Sequence, residues 1–152
     1  MFLIINTNTL GKIVVALARR NNLIAERSVK TKFHETEKLL LNIHKILEEN
    51  KFKLIDLEGV VVANGPGAFT SLRIGVVTAN VLAFTLGIPV VGVKLSEVRD
   101  KVNKVDKVNE EIEREELETL VEIGFWKLKK GMRGRFVLPF YGKALRITTF
   151  PH

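Results

Sequence analysis

A chain of 152 residues, 46% hydrophobic and 27% charged, has the length and composition of one soluble globular domain able to bury a real core. The absence of cysteine excludes disulfides, thiolate zinc sites and cysteine nucleophiles, and leaves the cytoplasm as the default compartment. A net charge of +7 admits a polyanionic partner, but the charge is spread along the chain. Its one local excess is Lys127, Lys129, Lys130, Arg133 and Arg135, beside Phe125 and Trp126. A solvated surface and a nucleic-acid contact both fit that patch.

The apolar start from Met1 to Ile5 lacks the length and basic flank of a signal peptide and reads as a first strand, Leu3 to Ile5. A turn-rich link, Asn6 to Gly11, leads to a second strand over Lys12 to Arg19. Arg20-Asn21-Asn22 then reverses the chain into a third, Leu23 to Val29, completing an antiparallel meander. Glu35 to Glu49 places Leu39, Leu40, Ile43, Ile46 and Leu47 at helical spacing, with Asn50 as the stop. Gly59 to Ala63 is a fourth strand, a helix runs from about Phe69 to Leu86, and Pro89 to Val93 forms a fifth strand after Gly87. Arg73, Thr78, Asn80 and Thr85 interrupt the longest apolar run, which argues against a membrane span. Three antiparallel strands followed by αβαβ predict a mixed five-stranded α/β sheet, the topology of ribonuclease-H-like and actin-like lobes.

Residues 1–95 are thus expected to form this lobe, and 96–152 a reduced C-terminal segment of charged helix plus extended strands. Arg99 to Glu122 carries an imperfect stripe of Val105, Val108, Ile112, Leu117, Leu120 and Val121. Its phase slips after Ile112, which predicts a kinked or marginal helix. Gly131 and Gly134 mark a loop, and Phe136 to Phe150 reads as extended around Pro139.

The junction Gly65-Pro66-Gly67 is a tight turn between the fourth strand and its helix. A glycine turn at a helix N-terminus can cradle phosphate. This one lacks the Gly-Lys-Ser/Thr ending of a P-loop, and Pro66 has no N–H to offer, so a structural corner is the favoured reading. Thr70 and Ser71 are expected to cap the helix. That helix lays Leu72, Gly75, Val76, Ala79, Leu82, Ala83 and Leu86 on one face, yet its other side shows Ile74, Val77, Val81 and Phe84 among Arg73 and Asn80. A helix apolar nearly all round is covered on both sides. Its second cover is a partner or the C-terminal segment, and Leu40, Leu41 and Leu47 of the preceding helix would share that interface.

The run Gly65-Pro66-Gly67-Ala68-Phe69-Thr70-Ser71-Leu72-Arg73-Ile74-Gly75 resembles the Gly-Pro-Gly-Ser-Phe-Thr-Gly-Leu-Arg-Ile-Gly signature of the TsaB (YeaZ) family. Leu86-Gly87-Ile88-Pro89-Val90-Val91-Gly92-Val93 and His34-Glu35-Thr36-Glu37 support the likeness over the first 95 or so residues. Leu138-Pro139-Phe140-Tyr141-Gly142-Lys143 is similar to the family's last strand. The resemblance implies an actin-like ATPase fold and a non-catalytic scaffold that binds and stabilises a TsaD-like catalytic subunit. That subunit would make threonylcarbamoyladenosine in tRNA, with a TsaE-like ATPase as a further partner and tRNA contacted indirectly. It also implies pairing through these two helices, with TsaD or as a homodimer, which places the interface at Leu40, Leu41, Leu47, Arg73, Ile74, Val77, Asn80, Val81 and Phe84.

Two departures bear on activity. Ile5-Asn6-Thr7 stands where the family usually has Ile-Asp-Thr, and an amide cannot supply the charge that helps hold a metal-bound nucleotide. The short segment after residue 95 reads as a second lobe reduced by an internal loss, leaving little of a cleft. A residual nucleotide hydrolase and a direct tRNA-binding module are the alternatives. No catalytic set is evident. His34 and His44 lie roughly 280° apart around one helix and cannot form a two-histidine metal motif, His152 is terminal, and Glu110 to Glu118 reads as a solvated face. No cofactor or metal is expected.

Overall fold

The computed structural model describes residues 1–102, 109–131 and 136–142. Its strands are β1 (Phe2–Asn6), β2 (Lys12–Arg19), β3 (Asn22–Lys30), β4 (Gly59–Ala63) and β5 (Val90–Val93). Its helices are α1 (Glu35–Glu49), α2 (Phe69–Leu86), α3 (Leu95–Arg99) and α4 (Asn109–Lys129), with a short 3-10 turn at Leu54–Asp56. The sheet order is β3-β2-β1-β4-β5. β2 runs antiparallel to both β1 and β3, with Ile4 opposite Ala16. β4 is parallel to β1 and to β5, so that Ile4, Val61 and Val91 lie in one row. This is the mixed sheet expected of a ribonuclease-H-like lobe.

Side chains alternate across a strand, so a sheet buried on both faces needs apolar residues at every position. β1 and β4 meet that demand. Leu3, Ile5, Val60 and Val62 point to one layer, where Leu39, Ile43, Ile46 and Leu47 of α1 and Leu72, Val76, Ala79 and Ala83 of α2 close over them. Phe2, Ile4, Val61 and Ala63 point to the other, covered by Val98 of α3 and Leu117, Leu120 and Val121 of α4. The charged helix of the C-terminal segment therefore lies on the sheet, on the face opposite α1 and α2.

α4 differs from its sequence expectation, since it runs unbroken to Lys129. Its stripe passes through Gly124, which an apolar count overlooks. A Cβ there would stand 2.6 Å from Val61 Cγ1, so only glycine lets the helix lie this close to β4. Past Glu122, Phe125 stacks on Phe2 with ring centroids 6.3 Å apart, carrying the helix through the basic stretch. Val105 and Val108 of the expected stripe, the loop glycine Gly134, and residues 143–150 of the expected extended region lie outside the described residues, as do Arg133, Arg135, Lys143 and His152.

α2 is, among the described residues, a helix long and apolar enough to cross a membrane by length and composition, with mean hydropathy 1.5. Thr78, Asn80 and Thr85 interrupt it little, because Arg73 is its only formal charge. In the fold its Leu72, Val76, Ala79 and Ala83 face packs on the sheet.

Candidate partner interface

α2 is set in place by contacts at its first turn. The Gly65–Pro66 peptide bond is cis, and Gly65 has φ +110°, a conformation that side chains rarely adopt. Ala68 N–H donates to Asn8 O at 3.0 Å, and a Cβ on Gly67 would meet that same oxygen at 2.5 Å. Oriented to satisfy both of its amide atoms, the Asn8 side chain donates to Ala63 O (2.9 Å) and accepts from Gly65 N–H (3.3 Å). The link after β1 therefore fills the hollow of the turn and engages N–H groups that a phosphate cradle would use.

The expected hydroxyl cap is absent from this helix. Its N-cap is Ala68, with no side-chain cap bond, while Thr70 is exposed. Ser71 is buried three residues into the helix, where its hydroxyl donates to Glu35 Oε2 at 2.9 Å and its carbonyl accepts from Thr7 Oγ1 at 2.6 Å. Position 71 lies past the cap, and Glu35 offers a stronger, charged acceptor. The bond also aligns the start of α1 with the start of α2.

Both helices carry exposed apolar side chains among the described residues. Val77 is 58% exposed, Val81 57% and Phe84 76%, and Leu40 and Leu41 of α1 are each 49% exposed. Other residues assigned to this interface are occupied elsewhere. Leu47 is 3% exposed in the core, because it falls four residues after Ile43 on the buried stripe. Ile74 packs partly into the same layer. Asn80 exchanges two hydrogen bonds with the Val137 backbone, both 2.9 Å. Arg73 lies 3.8 Å from the Phe69 ring centre and donates through Nε to the Tyr141 hydroxyl at 2.8 Å. Periodicity could not assign Asn80 and Arg73, since their partners are distant in sequence. It also missed Phe136 (52% exposed) and Leu138 (76%), which flank Val137 beside α2.

The remaining candidates are mostly neutralised. Asn6, at the end of β1, lines a cleft of about 310 Å³ with Lys12, Glu26, Glu113 and Arg114. There its Oδ1 accepts from Asn8 N–H at 3.1 Å. Lys12 is paired with Glu113 (2.7 Å), and Arg114 with Glu26 (3.0 Å) and Glu118 (2.8 Å). Those carboxylates hold the Arg114 guanidinium above its ordinary pKa through the Glu118 hydrogen bond and the Glu26 charge. His34 lies 3.8 Å from Glu37 and His44 3.4 Å from Glu48. Among the described residues no three His, Asp or Glu side chains come together as a metal site.

In the basic–aromatic stretch, Lys127 turns inward to Gly92 O (3.0 Å) and Glu97 (2.9 Å). Burial acts to raise the Glu97 pKa, but hydrogen bonds from Lys127 and the Lys94 backbone outweigh it and hold the carboxyl below its usual value. Trp126 is 49% exposed, and Lys129 and Lys130 face solvent.

Comparison with known proteins gives this geometry its context. The family model of TsaD, tRNA N6-adenosine threonylcarbamoyltransferase, matches residues 28–128. The tRNA threonylcarbamoyladenosine biosynthesis protein TsaB of Bacillus subtilis is 37% identical over 89 residues, covering 59% of this chain and 38% of the relative. The chain thus spans less than half the length of that curated relative. Among solved structures, YeaZ from Pseudomonas aeruginosa superposes with a TM-score of 0.58 at 27% identity, over 64% of this chain and 45% of that one. RuvC of T. thermophilus, solved with a Holliday junction substrate, covers 88% of this chain and 98% of its own, with a TM-score of 0.54. At 14% identity it shows the shared ribonuclease-H-like fold alone. The chain belongs to the TsaD family of tRNA N6-adenosine threonylcarbamoyltransferases, and within it to the TsaB/YeaZ relatives.

Proposed function

We propose that the chain is a non-catalytic, cytoplasmic scaffold that binds and stabilises a TsaD-like catalytic subunit during threonylcarbamoyladenosine formation in tRNA. The observation that carries this reading is the uncovered stripe of Val77, Val81 and Phe84 on α2 beside Leu40 and Leu41 on α1. Singly exposed apolar residues are ordinary, but Val77, Val81 and Phe84 recur along one face of α2, and such a row marks an interaction surface. α4 supports the assignment to a partner, because it covers the opposite face of the sheet, and among the described residues Val77, Val81 and Phe84 stay exposed. A homodimer through the same helices would compete with the partner, a TsaE-like ATPase would act on the assembled pair, and tRNA would be held chiefly by the partner.

Gel filtration with light scattering tests this directly. The purified chain is expected to co-elute with a TsaD-like subunit and to have no transferase activity alone. Separate elution at micromolar concentrations of both would refute the scaffold role. Against the hydrolase reading stand Asn6 in place of a carboxylate and the paired charges of Lys12 and Arg114 in the adjoining cleft. Calorimetry with ATP and magnesium separates the two, since tight magnesium-dependent binding would favour the hydrolase.

A further inference from the structure

Residues Phe136–Gly142 pass beside α2 and over the carboxyl ends of β4 and β5 without joining the sheet. Their main chain makes four hydrogen bonds to the lobe. Asn80 Oδ1 accepts from Val137 N–H and Asn80 Nδ2 donates to Val137 O, each at 2.9 Å. Asn64 Nδ2 donates to Leu138 O at 2.9 Å, and the Asn64 carbonyl accepts from Phe140 N–H at 2.6 Å. Side chains engage as well, with Lys94 Nζ 4.3 Å from the centre of the Phe140 ring. Val137 is 8% exposed and closes on Gly92, where any Cβ would come within 2.7 Å of its Cγ1. Tyr141 stacks on Phe69 at 4.9 Å and accepts from Arg73. Leu138, lying between them, points to solvent.

Main-chain hydrogen bonds for affinity, with separated side-chain pockets for specificity, are how folded domains read extended peptides. We infer that the surface between α2 and the ends of β4 and β5 is a peptide-binding groove, filled here by the chain's own Phe136–Gly142 segment. It takes an extended peptide with a small β-branched residue at the Val137 place, where Gly92 leaves room, and a tyrosine at the Tyr141 place, where Phe69 and Arg73 form the shelf. The inference is independent of the α1/α2 interface. It assigns Asn80 to the groove, where Asn80 recognises the Val137 backbone, while the solvent-facing Leu138 place tolerates variation.

A fluorescein-labelled peptide of residues 136–142 is the probe, titrated with the full chain and followed by anisotropy. In wild type the tethered segment competes at an effective concentration on the order of millimolar, so labelled peptide binds poorly. Val137→Asp puts a carboxylate at a buried place in the tethered segment and expels it, leaving the groove residues unchanged. That variant is expected to bind the peptide at least about tenfold more tightly than wild type. Adding Asn80→Ala should then weaken binding by about tenfold or more, because two main-chain bonds are lost. Equal binding by wild type and Val137→Asp, or undiminished binding after Asn80→Ala, overturns the groove.

Should Val137→Asp fail to fold by circular dichroism, native-state hydrogen exchange on wild type decides. The Val137 and Phe140 amides are expected to exchange at least about tenfold faster than those of β4, as a detachable segment opens locally. Equal protection would make the segment an integral part of the fold and refute the inference.

Discussion

Phe84 offers a substitution that separates folding from assembly. Its side chain is 76% exposed near the C-terminus of α2, so the isolated lobe gains little from it. Lysine is a good helix former and is favoured in a last turn, where its charge meets the negative end of the helix dipole. Phe84→Lys should therefore move the stability of the chain by no more than about 0.5 kcal/mol. In the proposed complex Phe84 becomes buried. Complete burial of a large apolar side chain is worth about 1.5–3 kcal/mol, and roughly three-quarters of that remains available here, or about 2 kcal/mol. Losing it weakens the complex about thirtyfold, before any cost of burying the ammonium. Calorimetric titration of wild type and Phe84→Lys into a TsaD-like subunit measures the ratio, with thermal melts of both proteins as the folding control. An unchanged Kd would refute the interface, and a melting temperature lowered by many degrees would refute the premise that Phe84 is a surface residue of the free chain.

Other consequences follow from the packing. Gly67→Ala should cost about 1–3 kcal/mol by urea titration, because its Cβ meets the Asn8 backbone, which is fixed by its bond to Ala68; an unchanged midpoint would mean that the turn is not wedged against residue 8. Gly124→Ala should cost a similar amount by forcing α4 off Val61, and a neutral result would show that α4 does not lie this close to β4. Glu97 has a folded pKa below its unfolded value, so its pairing with Lys127 stabilises the fold fully above the unfolded carboxylate pKa. That contribution is lost as pH falls through the folded value. The urea midpoints of wild type and Glu97→Gln should therefore differ at neutral pH and converge in acid, and a gap independent of pH would refute the pairing.

Much of the framework was legible because each element has local punctuation. Gly67 and Gly87 bracket α2, Asn50 ends α1, and the unbroken apolar runs of β1 and β4 signal a sheet covered on both faces. What sequence missed has specific causes. Leu47 continues the Leu39–Ile43 stripe and belonged to the core by its own spacing. Gly124 occupies a stripe position of α4 that hydrophobicity cannot register. Asn80 and Arg73 resemble surface polar residues until Val137 and Tyr141 return beside α2, a pairing between distant segments that no periodicity encodes. The exposure of Val77, Val81 and Phe84 was legible because they lie off the core stripe of α2, whereas Leu40, read on the stripe of α1, is half exposed.

The central claim is that the α1/α2 stripe is the contact surface for a TsaD-like subunit. Hydrogen–deuterium exchange on the wild-type chain, with and without that subunit, tests it most directly. Added protection is expected over residues 77–84 of α2 and around Leu40 and Leu41 of α1, with α4 unchanged. Protection confined to α4, or none at all under conditions where the two proteins co-elute, would contradict it.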